Sequence, residues 1–110
     1  MTERIRVGHL EDLPEGRGVR VETDDLRIAM FRIGGDVYAI GDRCSHAEAS
    51  LAEGEIFDFD VECPRHGSEF DIRTGEPDSL PATRPVPTFS VEIDAGVVYV
   101  LAEPPVESAP

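Results

Sequence analysis

Apolar residues along this chain come in short alternating runs broken by Gly, Asp and Pro. Arg4 to Val7 alternates weakly and then meets Leu10-Glu-Asp-Leu13, which reads as one helical turn. Val19 to Thr23 alternates apolar and polar, and Asp24-Asp25 is a turn signal. Leu26 to Ile33 puts Leu26, Ile28 and Met30 on one face and Ala29, Phe31 and Ile33 on the other. Gly34-Gly35 is a hairpin turn, and Val37 to Ile40 returns from it. Ile56–Phe59 and Val61–Cys63 read as two short arms around Asp60. Phe70–Ile72 precedes a turn at Arg73–Glu76. Thr88–Ile93 and Val97–Leu101 make a last hairpin around Asp94-Ala-Gly96. Beyond a single turn, the one helix the pattern supports is the short Ala47–Leu51. Regular short strands with such punctuation predict an all-β fold, an antiparallel β-sandwich or small barrel.

The segment 77–87 holds Pro77, Pro81, Pro85 and Pro87 and reads as a stiff, ordered loop. From Glu103 onward there is little to bury, so 1–103 is expected to form a single domain and 104–110 a flexible tail. A length of 110 residues allows one small domain, which can bury a core without disulfides.

Charge narrows the partners. The formal net charge is -13, and the ten basic residues are all Arg. Such a balance argues against nucleic acid and against an anionic membrane, and it suits a basic docking partner. The start MTERIRVGHL shows no apolar signal region, and the run Val97–Ala102 is far too short to span a bilayer. The expectation is a cytoplasmic protein whose two cysteines serve as ligands or catalytic residues rather than as a disulfide.

Those cysteines carry the chemistry. Cys44-Ser-His46 is followed, after sixteen residues, by Cys63-Pro-Arg-His66. Each pair follows a strand and offers one soft thiolate and one imidazole. Two such loops side by side make a Cys2His2 site that suits either of two metals. Zinc takes this donor set tetrahedrally, though a zinc finger groups its cysteines together. A binuclear [2Fe–2S] centre needs two cysteines on one iron and two histidines on the other, which two mixed loops supply. His9 has no ligand partner nearby and reads as an ordinary surface or structural histidine.

The spacing C-x-H-x16-C-x-x-H, with CPRHGSEFD at Cys63–Asp71, closely resembles the Rieske [2Fe-2S] ferredoxin family. The likeness is strongest to the small ferredoxin components of ring-hydroxylating dioxygenase systems. Gly67, Phe70-Asp71, Thr74-Gly75 and Leu80–Pro87 extend it, over roughly residues 4 to 102. The resemblance implies a Rieske fold: a β-sandwich or barrel base with an inserted cluster-binding subdomain at about 42–72. It implies that Cys44 and Cys63 bind a buried iron, that His46 and His66 bind an outer iron near solvent, and that the proline segment covers the cluster. It also makes Ser68 a candidate hydrogen-bond donor to a cluster sulfur. High-potential relatives have a bridging cysteine pair where this chain has Ala47 and Arg65, and a Tyr where it has Phe70. These departures imply a potential in the lower part of the range of about -150 to +300 mV.

Function follows by the same route. The large oxygenase subunits of this superfamily also carry a mononuclear iron held by two His and a carboxylate, and here only His9 is left over. No glycine-rich loop for flavin or nicotinamide stands out. The expected role is one-electron transfer without substrate chemistry, between a flavoprotein ferredoxin reductase and a terminal oxygenase or similar iron enzyme. The carrier is expected to be monomeric. The alternatives are a non-redox zinc-binding interaction module and a housekeeping ferredoxin tied to iron–sulfur assembly. Arg43 and Arg65 flank the ligands, with Glu48 and Glu69 beside them, either as solvated loop charges or as orienting charges at a docking face.

Overall fold

The computed structural model describes residues 3–23, 26–44, 49–65, 67–78 and 84–102. The strands are β1 (Glu3–His9), β2 (Gly18–Glu22), β3 (Arg27–Ile33), β4 (Asp36–Gly41), β5 (Ile56–Phe57), β6 (Asp60–Glu62), β7 (Glu69–Asp71), β8 (Thr88–Asp94) and β9 (Val97–Ala102). An antiparallel sheet runs β1-β9-β8-β4-β3-β2, and a smaller one runs β5-β6-β7. The junction of β4 with β8 is short, Ala39 opposite Phe89 and Ile40 opposite Thr88. The large sheet therefore curls at this seam instead of lying flat.

Curling buries one face of every strand against the others. Ile28 and Met30 of β3, Ala39 of β4, and Val98 and Val100 of β9 form this inner core. Ile5, Val7, Val19, Val21 and Val91 pack around it from the remaining strands. The opposite face of β3 and β4 is buried too. Ala29, Phe31 and Ile40 there meet Leu51, Val61, Phe70 and Ile72 of the segment that runs between β4 and β8. Period-2 alternation thus splits β3 between two cores, which is why both of its faces are apolar.

Two expectations need adjusting. The turn between β5 and β6 falls at Asp58-Phe59, with Asp58 in the left-handed region (φ 55°), so Asp60 is a strand residue. Aspartate tolerates that conformation better than most residues, so either Asp could have been the turn. The short helix is displaced: a 3-10 turn spans Leu51–Glu53, while Ser50 is extended and bridges to Arg43. Ala47 and Glu48, the start of the expected helix, lie outside the described residues, as do Asp24-Asp25, residues 79–83 and the tail 103–110. The 3-10 turn Leu10–Asp12 falls where one helical turn was expected.

The described end of the proline segment is clamped from below. Val86 is buried, and its N–H donates to the Gly75 carbonyl (2.8 Å). Gly75 has φ +78°, and a Cβ there would lie 2.2 Å from the Val86 oxygen. Only glycine allows this approach.

Candidate metal centre

Both cysteines sit at the mouths of matched loops. The Cys44 N–H donates to the Ala49 carbonyl (3.0 Å), and the Cys63 N–H donates to the Ser68 carbonyl (2.7 Å). In each loop, then, the cysteine amide closes the chain onto the residue five positions later. Strand pairing holds the ends of both. Arg43 bridges Ser50 beside the first, and β6 pairs β7, Glu62 opposite Glu69, beside the second. Gly67, at φ +77°, donates its N–H to the Cys63 carbonyl (3.0 Å) and turns the second loop back.

Cys44 and Cys63 are not joined in a disulfide; they are 3% and 1% exposed, and both belong to the same core beneath β3 and β4. Ser68, whose carbonyl takes the Cys63 N–H, is fully buried. His46 and His66 fall between the closing residues in sequence and lie outside the described residues.

Thiolates are the ligand form of cysteine, and an isolated thiolate in an apolar core is costly. A cation held by both thiols removes that cost. Two soft sulfur donors in one core, each on a hydrogen-bonded loop, fit an iron–sulfur or zinc centre by donor chemistry.

Asp42 anchors the first loop, and nothing in the sequence singled it out. Its carboxylate is fully buried. Oδ1 accepts from the Ser50 hydroxyl (2.7 Å) and from the Ala52 N–H (2.9 Å). Its backbone N–H donates to the Arg27 carbonyl (3.0 Å), and its own carbonyl accepts from the Leu51 N–H (2.7 Å). Oδ2 makes no hydrogen bond and faces the Arg27 guanidinium at 4.0 Å. One carboxylate so ties β3, the base of the Cys44 loop and the 3-10 turn together.

A second polar group lies at the far end of β6 and β7, where Asp60 pairs with Asp71. The carboxylates of Asp60, Asp71 and Asp78 converge, with ligand atoms within 4.8 Å of one another. Burial, a hydrogen bond with Asp78 and the charges of Asp78, Glu69 and Asp71 push the Asp60 carboxyl up to about 7. Asp71 moves the other way, held low chiefly by the Arg73 guanidinium, which it meets at 3.0 Å.

Among the described residues no helix is long and apolar enough to cross a membrane. His9, the third histidine, is exposed. It lines a separate cavity of about 390 Å³ with Arg32 and Gly96, away from the cysteine loops.

Known proteins agree with this geometry. The family model described as the Rieske [2Fe-2S] domain matches residues 3–90. The 3-phenylpropionate/cinnamic acid dioxygenase ferredoxin subunit of Escherichia coli (strain K12) is 43% identical over 98 residues, covering 88% of this chain and 92% of that protein. The ferredoxin of carbazole 1,9a-dioxygenase from Nocardioides aromaticivorans IC177 superposes with a TM-score of 0.88 at 36% identity, covering 91% of this chain and 98% of that one. A chain from a complex of reduced oxygenase and oxidized ferredoxin in carbazole 1,9a-dioxygenase superposes with a TM-score of 0.86 at 38% identity, over 89% of this chain and 92% of its own. With the matched cysteine loops on a curled antiparallel base, the chain belongs to the Rieske [2Fe-2S] domain family.

Proposed function

We propose that this protein is a one-electron carrier, a Rieske ferredoxin that takes electrons from a flavoprotein reductase and passes them to a terminal oxygenase or similar iron enzyme. The observation that carries the reading is the pair of equivalent loops whose two buried cysteines, not joined in a disulfide, share one core. Cys44 and Cys63 would hold one iron and His46 and His66 the other. When bound, such a centre supplies reversible exchange of a single electron. Residues 42–72 act as the cluster-binding subdomain of a single domain, 1–103, in the cytoplasm.

The protein's own part is to keep that exchange simple. Two hydrogen-bonded loops and the Asp42 anchor restrain the ligands, so little rearrangement accompanies a change of charge. Phe31, Phe70, Leu51 and Ile72 exclude water from the thiol side. The hydroxyl of the buried Ser68 would tune the sulfurs. Nothing in this role asks the chain to bind or transform an organic substrate.

The test is composition with spectroscopy. Purified protein should contain two irons and two acid-labile sulfides per chain, and its reduced form should show the g-values of a mixed Cys/His centre. One zinc per chain with no visible absorbance would overturn the reading.

A further inference from the structure

Asp42 does more than anchor a loop, because its place in the chain sets a buried charge beside a cysteine. Alternation carries on past the end of β4. Ile40, Asp42 and Cys44 are buried, while Arg43, between the last two, is exposed. Ile40 and Cys44 belong to the core beneath β3 and β4. Asp42 therefore stands between them on the core side. Two residues of extended chain span at most about 7 Å, so the carboxylate and the Cys44 thiol spring from backbone atoms no further apart than that.

The charge on Asp42 is compensated only in part. Oδ1 accepts from the Ser50 hydroxyl and the Ala52 N–H, at 2.7 and 2.9 Å. Among the described residues Oδ2 receives no hydrogen bond. The cation it faces, Arg27, is 4.0 Å away on a side chain that is 46% exposed. That side chain lines a cavity of about 610 Å³ with the exposed Arg20, Arg43 and Arg65. Solvent there screens the guanidinium, while the carboxylate stays out of water. A buried carboxylate with one oxygen orphaned costs stability. A neutral asparagine could accept the same two hydrogen bonds at Oδ1. What the carboxylate adds at this position is its charge.

We infer that the buried carboxylate of Asp42 holds the reduction potential of the centre low, acting through space on the Cys44 side. The inference rests on the electron-carrier reading above and deepens it. An electron added beside a fixed buried anion is disfavoured, so the oxidised state gains. At an effective dielectric constant of about 20, two unit charges about 7 Å apart couple by more than a factor of ten. Asp42 thus joins the absent cysteine pair and Phe70 as a cause of low potential, and it comes from the opposite loop to Phe70.

The test is redox titration of the holoprotein and two variants, with visible absorbance and the g-values of the reduced form showing that each centre is intact. Asp42→Asn removes the charge and should raise the equilibrium constant for reduction about tenfold, which is about 59 mV for one electron. The shift should persist at high salt, because a buried charge is screened little. Ser50→Ala keeps the carboxylate and removes a donor that offsets it, so it should lower the same constant about threefold. A purely structural anchor predicts the opposite sign for Ser50→Ala. A loosened loop admits water, and water favours the more highly charged, reduced state. A rise in both variants therefore overturns the inference and leaves Asp42 an anchor alone, as does an unchanged or lowered potential in Asp42→Asn. If Asp42→Asn holds no centre, the sign in Ser50→Ala decides: a fall upholds the inference, and a rise or no change overturns it. Native protein without iron and sulfide would sink the carrier reading and this inference with it, whereas a loaded protein with unmoved potentials sinks the inference alone.

Discussion

The two faces of β3 bury into two cores with different contents. The inner core takes Ile28 and Met30, and every buried residue in it is aliphatic or Met. The core on the other side takes Ala29 and Phe31, and it holds both cysteines, with buried Ser68, Ser50 and Asp42 at its edge. The first needs only volume and strand pairing. The second must hold chemically committed side chains in place, so it adds hydrogen-bonded loop closures and a buried carboxylate to its packing. It also uses small residues where backbones converge. A Cβ on Gly18 would lie 2.4 Å from the Ala52 oxygen, and one on Gly54 would lie 2.0 Å from the Glu62 oxygen. The same strand thus supports the fold with one set of alternate residues and the site with the other.

The most severe way to break the comparison is to remove a thiol. Cys44→Ser should abolish the bound centre, leaving iron and sulfide near zero and the protein colourless. Hydrogen exchange should show the inner-core strands β3 and β9 still protected, while amides of β6 and β7 exchange far faster. Uniform loss of protection would mean that the two cores are one cooperative unit.

Neighbouring residues on β3 sharpen the contrast. Met30→Ala empties part of the inner core and should cost about 2–5 kcal/mol. Phe31→Ala does the same on the site side and should cost about 3–5 kcal/mol. The stability losses, read by urea unfolding, are close. The fates of the centre should differ: Phe31→Ala should lose visible absorbance several times faster in the presence of a chelator, and Met30→Ala should match the native rate. Equal rates would show that the centre senses global stability and not its own core.

Much of this was legible in the sequence, for definite reasons. Alternation in Leu26–Ile33 separated the residues of the two cores before any pairing was known, because a strand with two apolar faces leaves no other reading. The Gly34-Gly35 and Ala95-Gly96 turns were legible because positive φ selects glycine, and Gly34 (φ 66°) and Gly96 (φ 80°) adopt it. Cys44 and Cys63 stood out because thiols with imidazoles nearby rarely serve packing alone. What remained hidden depends on tertiary contact. Asp42 looks like any loop acid until Ser50 and Ala52 fold back on it. Arg20 and Arg27 are far in sequence from Arg43 and Arg65, and only the sheet brings them to one cavity. The convergence of Asp60 on Asp71 and Asp78 needed the β6–β7 register.

That carboxylate group separates the cores by pH. Asp60 titrates at about 7 in the folded protein against an ordinary value of 3.8. Between those values the folded state holds a proton that the unfolded chain has released. Its stabilising contribution is therefore complete below pH 3.8 and is lost as pH rises through 7. Asp60 is half-buried, so solvent screening should hold the effect to on the order of 1 kcal/mol. Asp60→Asn should gain stability over the native protein at pH 8 and match it near pH 4, as measured by urea unfolding at each pH. No change in the difference between those pH values would assign Asp60 an ordinary carboxyl.

The smallest expected effect concerns Ser68, the polar residue buried beside Cys63. A donor hydroxyl aimed at a cluster sulfur stabilises the reduced, more negative state more than the oxidised one. A hydrogen bond contributes roughly 0.5–1.5 kcal/mol net. For one electron, about 1.4 kcal/mol corresponds to about 59 mV. Ser68→Ala should therefore lower the reduction potential by roughly 20–65 mV, a shift that redox titration resolves. The Cys63 N–H donates to the Ser68 carbonyl, and alanine keeps that 2.7 Å bond. Loss of loop structure is thus separable from loss of the hydroxyl. A lowered potential with unchanged unfolding stability places the hydroxyl on a sulfur. An unchanged potential with lowered stability makes Ser68 a packing and loop residue, and leaves Phe70, fully buried where high-potential relatives carry Tyr, as the remaining determinant in this loop.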